Sequence, residues 1–483
     1  MKRFYIGKLI SMKYFAVLLV SVIVMNGIFG STVFAAKRDI TPTSAPVYLH
    51  TLSVKDTSVL LSGRTSKDNG TYSSVLSVKT SKKPVKSTPA PTPAKTPTNI
   101  PTPTQLPASS PTPTVILTPT PAPTAIPTPE LSSETKVIGY YAAWAAYSGF
   151  TPDKLDAGKL THINYAFANI GSDLRISLGY PDVDSANIAK LNALKQANPG
   201  LKSIISIGGW NWSGRFSDAA LTEASRTAFT DSCVEFIVKY GFDGVDIDWE
   251  YPVSGGLSSN IRRPEDKTNF TLLMQKLREK LNIRSAIDGK QYILSFAGAA
   301  GSWYLNNIEL SKLQAYIDYA QVMTYDFHGS WDSYTDFNAP LYDNGDISPQ
   351  YKGSTDSGIT AWIKAGLPAK QIVMGVPFYG YIYKAAADVN HGLYQTYSGS
   401  ASISYANIAA NYLKAPGYTR YFHPESLVPW LFNGSTFISY EDEQSMAYKA
   451  EYIKTRGLGG AMIWELSQDP DKVLLNALYN GLK

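Results

Sequence analysis

From Glu134 onward the chain carries short, nearly continuous apolar runs. They read VIGYYAAW, THINYAFANI, KSIISIGGW, FDGVDIDWEY, YILSFAGAA, YAQVMTYDF, IVMGVPFYGY and GGAMIWEL. Segments of helical spacing lie between them, among them SANIAKLNALKQANP, KTNFTLLMQKLREKLN and DEQSMAYKAEYIKTRG. A strand buried on both faces reads as an unbroken apolar run, and strands alternating with helices indicate a parallel sheet. Eight such units predict an α/β fold, a (β/α)8 barrel. An open doubly wound sheet is the rival, but no Gly-rich phosphate loop follows the first strand. About 80 residues, Tyr381 to Leu458, separate the seventh and eighth strands. One helix and its loops need fewer. A small inserted subdomain is therefore expected at about 383–439, inside a domain spanning 134–483.

The pattern before Glu134 is different. Lys2, Arg3, Lys8 and Lys13 precede an apolar run from Tyr14 to Phe29, and Val33-Phe34-Ala35 follows at cleavage spacing. This predicts a signal peptide over 1–35 and a secreted mature protein with no membrane span. Residues 36–83 are rich in Ser, Thr and Lys and too few for an independent core, so they are expected to be a disordered stub. Residues 84–129 hold 15 of the 30 prolines. Proline fixes φ and removes a backbone donor, which predicts an extended linker of up to roughly 140 Å at about 3.1 Å per residue. The stub and linker together are candidates for contact with a cell wall.

Charge sharpens this division. The whole chain carries +5, but the leader supplies +4, residues 37–83 another +5 and residues 84–129 a further +2, which leaves −6 on 130–483. The basic balance thus belongs to the leader and tail, and nothing points to nucleic acid. The only cysteine, Cys233, sits in a helical pattern and is expected in the core, so no intramolecular disulfide forms.

The chemistry concentrates in FDGVDIDWEYP at 242–252. Strand residues two apart share a face, so Asp246, Asp248 and Glu250 form one row and Val245, Ile247 and Trp249 the other. In a barrel the acids point inward, with Glu250 nearest the C-terminal mouth, where barrel enzymes act. Asp243 is out of phase and is expected to hold a turn. Same-face neighbours lie only about 7 Å apart. Mutual repulsion and burial raise carboxyl pKa values, so at least one of the three should keep a proton at neutral pH and serve as a general acid. The neighbouring strands supply no Lys or Arg to neutralise the row, and only His328 joins it at a strand end. A structural ion cluster or a metal site is therefore disfavoured, and no metal or cofactor is expected. Gly208 and Gly209 after the third strand permit close backbone approach to a neighbour or ligand.

FDGVDIDWEYP resembles the D-x-x-D-x-D-x-E signature of glycoside hydrolase family 18, the chitinases. SIGGW at 206–210 resembles that family's S-x-G-G motif, MTYDFHGSW from Met323 its M-x-Y-D motif, and MIWEL at 462–466 its last-strand segment. Four motifs fall in the right order over 136–483. The resemblance implies that the insertion is α+β and that catalysis is retaining and substrate-assisted. Glu250 would protonate the glycosidic oxygen, and the substrate's 2-acetamido oxygen would attack its own anomeric carbon. Asp248 would hold the acetamido N–H, Asp246 would share a proton with Asp248, and Tyr325 would donate to the acetamido oxygen. It also implies that Trp464 floors the distorted sugar and that Trp210 and Asn211 line the leaving-group side. Gly208, Gly209, Tyr251, Met323 and Asp326 would line the reacting position, and Tyr140, Phe167 and Tyr381 are further candidates at strand ends. Trp144, Trp331 and Trp430 are candidate stacking platforms or core. The expected partner is chitin or its oligosaccharides, met by a secreted monomer. Two alternatives stay open: a hydrolase of another GlcNAc-containing glycan, and a chitin-binding lectin. Lectin relatives typically lose the acid that is present here as Glu250.

Overall fold

The computed structural model describes residues 135–350 and 353–483. The expected signal peptide, stub and linker lie outside the described residues. Fourteen strands follow in order: β1 Lys136–Ala142, β2 His162–Ile170, β3 Ile176–Leu178, β4 Lys202–Gly208, β5 Gly244–Asp248, β6 Ile293–Ala299 and β7 Tyr319–Met323. Then come β8 Ile372–Pro377, β9 Tyr379–Lys384, β10 Gly399–Ser404, β11 Thr419–Phe422, β12 Pro429–Phe432, β13 Phe437–Ser439 and β14 Gly460–Trp464. Strands β1, β2, β4, β5, β6, β7, β8 and β14 pair in parallel in that cyclic order, and β14 closes on β1. The eight apolar runs are the eight strands of a closed (β/α)8 barrel. Short β3 hangs antiparallel on β2.

Alternation decides what fills the barrel. Val245 and Ile247 are fully buried against the helix layer, while Asp246 and Asp248 face the interior row. Register sets Ser206 beside Asp246 and Asp246 beside Ser295. The helices that clamp the barrel carry their own stop signals. Helix Glu223–Tyr240 begins with a Thr222–Ser225 capping box and ends at Gly241 in the left-handed region (φ 79°). Cys233 on this helix is fully buried. At the foot of β5, the Asp243 carboxylate accepts from the Ser203 backbone N–H at 2.9 Å and pairs with Lys195 at 2.6 Å. It pins the start of β5 to that of β4.

The insertion is a second, antiparallel sheet in the order β10-β9-β13-β12-β11, with helix Tyr405–Asn411 after β10. It starts at Tyr379, earlier than the 383 expected. The apolar run IVMGVPFYGY hides a break at Phe378, where the chain leaves the barrel and starts β9. Tyr381 therefore belongs to the insertion. Trp430 is not a cleft platform. It is 7% exposed, stacks on Tyr421 and donates its Nε1–H to the His391 carbonyl at 3.1 Å, deep in the insertion core.

The chain returns to the barrel through a buried ion pair. Lys449, fully buried on helix Glu443–Arg456, meets the Glu441 carboxylate and donates to the Ala339 carbonyl at 2.8 Å. It ties the exit of the insertion to the long β7–β8 connection. Removing one partner strands a buried charge. Lys449→Met is therefore expected to lower unfolding free energy by about 3–5 kcal/mol in urea denaturation, and Lys449→Met with Glu441→Leu to recover most of it.

Candidate active site

Asp246 is completely buried and fully bonded. Tyr140 Oη and Ser206 Oγ both donate to Oδ2 at 2.7 Å. Ser295 Oγ and Gln321 Nε2 donate to Oδ1 at 2.7 and 2.8 Å. The four donors come from β1, β4, β6 and β7, so the closed barrel builds this cage. Burial raises the Asp246 pKa, and the four hydrogen bonds act against the rise. Tyr140 thus lies under the cleft, 1% exposed, rather than on its wall. No hydrogen bond joins Asp246 to Asp248, because the four donors already occupy both Asp246 oxygens.

Asp248 ends β5. Its Oδ1 is buried and has no hydrogen-bond partner. Burial, then the charges of Glu250 and Asp246, push its pKa well above the usual carboxylate range. Glu250 stands two residues beyond the strand. Burial, aided by Asp326, pushes its pKa up to about 7, and a hydrogen bond with the Tyr251 hydroxyl acts the other way. The charges that bear on Asp248 and Glu250 are other carboxylates.

Past the strand end the backbone is held by loop residues. Ser213 Oγ accepts the Glu250 N–H at 2.8 Å and reaches the Asp248 carbonyl at 3.1 Å. Asn260 Nδ2 donates to the Glu250 carbonyl at 2.9 Å. Neither residue was singled out from the sequence, because a lone Ser opening a short 3-10 turn and a lone Asn in a loop carry no periodic signal. The SIGGW glycines serve the same end. The Gly209 N–H donates to the Asp248 carbonyl at 2.8 Å. Gly208 has φ 100°, and an added Cβ there would sit 2.4 Å from that same carbonyl oxygen. The peptides Ala166–Phe167, Glu250–Tyr251 and Trp464–Glu465 are cis.

The mouth is aromatic. Trp464, at the end of β14, packs at 5.4 Å on Tyr140, 5.9 Å on Phe167 and 6.4 Å on Trp144. Met323 and Tyr325 are half-buried against the same cluster. In the cyclic strand order β14 and β5 lie four steps apart either way, so Trp464 faces the acids across the mouth. The Tyr325 hydroxyl lies 3.7 Å from Met462 Sδ, and burial and the Asp248 charge raise its pKa well above that of a free tyrosine. Asp326 is open to the cleft. Its Oδ1 accepts from Tyr379 at 2.6 Å and Tyr381 at 2.8 Å, both from the insertion. Trp210 is 49% exposed and Asn211 is exposed on the β4 side. Trp331, 60% exposed, packs on Tyr381. Trp212 and Tyr180 extend the cluster from Trp144, and Trp303 packs on Tyr251. These three were not singled out because a single aromatic in a loop or a one-turn helix reads equally well as core.

The family model described as Glycosyl hydrolases family 18 matches residues 136–469, which hold all eight barrel strands and the insertion. This chain belongs to glycoside hydrolase family 18. Chitinase A1 of Niallia circulans is 43% identical over 415 residues, which are 73% of this chain and 59% of that protein. A family 18 N-acetylglucosaminidase structure from Paenibacillus barengoltzii is 39% identical with a TM-score of 0.66, and 72% of this chain covers 100% of it. Chitinase ChiA74 from Bacillus thuringiensis is 36% identical with a TM-score of 0.68, over 72% of this chain and 70% of that one. Among the described residues, no helix of this family 18 protein is long and apolar enough to cross a membrane.

Its acid row depends on the glycine approach. Gly208→Ala combines an unfavourable positive φ with a backbone clash. It is expected to cost more than about 1 kcal/mol in urea denaturation. Gly214→Ala, where an added Cβ meets nothing nearer than 3.5 Å, is expected to change stability far less.

Proposed function

We propose that this chain is a secreted chitinase that cleaves β-1,4-linked N-acetylglucosamine polymers with retention of configuration. The single observation that carries the reading is the bare Asp248 Oδ1, buried between fully bonded Asp246 and the high-pKa Glu250. A buried acceptor without a partner is costly, so a ligand donor is its natural complement. An acetamido N–H is such a donor, and it belongs to the substrate of this family.

The chemistry follows from the positions. Glu250 gives its proton to the glycosidic oxygen as the C1–O bond breaks. The acetamido oxygen closes on C1, which yields an oxazolinium ion and keeps the nucleophile within the substrate. Asp248 holds the acetamido N–H and offsets the positive charge that develops. Tyr325 donates to the acetamido oxygen. The Glu250 carboxylate then takes a proton from water, whose oxygen bonds to C1 and opens the ring. Trp464 floors the reacting sugar, and Met323, Asp326 and Tyr251 border it. Acceleration comes from positioning and from a polar site already in place.

The signal-peptide pattern supports export, and the basic stub and proline-rich linker are consistent with contact at an anionic cell wall. The similarity to an N-acetylglucosaminidase structure favours a second reading, release of single sugars from a chain end. Product analysis on chitohexaose separates the two, since monomer as the first product supports the second.

Glu250→Gln is expected to lower turnover of chitohexaose by about 10²–10⁴-fold with the thermal unfolding curve preserved. Activity retained in that variant removes Glu250 from the acid role. The wild-type pH profile offers an independent check. Glu250 must carry its proton, so kcat/KM should hold below pH about 7 and fall about tenfold per unit as pH rises beyond it. A profile flat from pH 6 to 9 contradicts the assignment.

A further inference from the structure

Trp303 is 43% exposed, yet its ring is held on several sides. It meets the Tyr251 ring edge-on at 4.9 Å and the buried Tyr304 ring at 6.0 Å. Two glycines make the room it occupies. A Cβ on Gly301 would sit 2.5 Å from its Nε1, and one on Gly255 would sit 3.3 Å from its six-membered ring. The flanking segments are latched together as well. Asn307 Nδ2 donates to Ser254 Oγ at 2.7 Å, and Lys267 Nζ donates to the Asn306 carbonyl at 2.8 Å. An indole with nearly half its surface in water has no reason of burial to be gripped this way.

Its place in the mouth gives the reason. Glu250, Tyr251 and Trp303 form a sequence running outward, since Tyr251 bonds the Glu250 carboxyl and Trp303 backs onto Tyr251. The floor beneath the reacting sugar, Trp464, stands on the opposite wall. The acid faces the oxygen of the bond that breaks, so what lies beyond the acid, away from the floor, meets the departing part of the substrate. A flat, rigid ring held there presents a face to the C–H face of a pyranose and keeps an N–H for polar contact.

We propose that Trp303 is a stacking platform for an N-acetylglucosamine unit on the leaving-group side, a specificity-determining position of this cleft that rests on the chitinase reading above. It binds sugar and takes no part in proton transfer. The test compares chitohexaose with an aryl chitobioside, whose departing group is a phenol and reaches no further sugar position. Trp303→Ala is expected to lower kcat/KM on chitohexaose by about three- to tenfold, the scale of one lost aromatic contact. On the aryl substrate it should stay within twofold of wild type. Trp303→Phe should restore part of the loss. An equal loss on both substrates means that Trp303 only props Tyr251 and Glu250, and no loss on either means that it contacts no sugar; each overturns the proposal. A wild-type enzyme inactive on both substrates overturns the chitinase reading itself, and this inference with it.

Discussion

The site depends on one constraint: a row of three carboxyls buried in a barrel where, among the described residues, the charges that bear on Asp248 and Glu250 are other carboxylates. Two ionised carboxylates about 7 Å apart repel by about 2 kcal/mol at an effective dielectric near 20, and burial adds to this. A lysine or arginine in the row would relieve the repulsion and hold every acid ionised. Its absence forces the protons to stay, and a carboxyl that keeps its proton near neutrality can act as a general acid. The high pKa of Glu250 follows from where β5 ends and what surrounds it.

The three acids then divide the work by their partners. Asp246 receives four hydrogen bonds, one from each of four strands, and so closes the barrel interior around its carboxyl. Asp248, one pleat further out, receives none at Oδ1. This difference is geometric. At the level of Asp246 the neighbouring strands offer Ser206, Ser295 and Gln321, but two residues on Asp248 has Gly208 of β4 and Ala297 of β6 beside it, which carry no side-chain donor. Gly208 and Gly209 bring backbone, not hydroxyls, to the Asp248 position. The same small residues that allow the close approach bring no side-chain donor to the outer carboxyl.

Much of this was legible in the chain. The eight apolar runs and the period-two alternation of Asp246, Asp248 and Glu250 depend on strand geometry alone, which sequence carries directly. The insertion was legible as excess length, but its start was not. Tyr379 and Tyr381 continue an apolar run, so Pro377 before the break at Phe378 and Gly380 after it read as residues within one strand. The roles of Tyr140, Ser213 and Asn260 were not legible either. Tyr140 and Ser213 act through contacts 106 and 37 positions away in the chain, and Asn260 through a loop that folds back on Glu250 without a periodic pattern. Exposed tryptophans such as Trp303 fall between these cases. Composition shows that they exist, and only the fold shows that Trp303 stays exposed while it packs on Tyr251.

The corrected start of the insertion changes what the insertion is for. If β9 began past Tyr381, the second sheet would be a wall set beside a finished barrel. Because it begins at Tyr379, two of its first three residues point their hydroxyls at Asp326 Oδ1. Asp326 sits in the left-handed region at φ 58° and follows Tyr325 directly. Its backbone N–H is held by Asn338, whose side-chain amide also bonds the Tyr379 carbonyl. The β7 mouth, the long connection after it and the inserted sheet thus form one bonded unit around Asp326. That carboxylate in turn adds to the charge that keeps the proton on Glu250. The insertion therefore acts on the Glu250 pKa through Asp326, the carboxyl that its first strand holds.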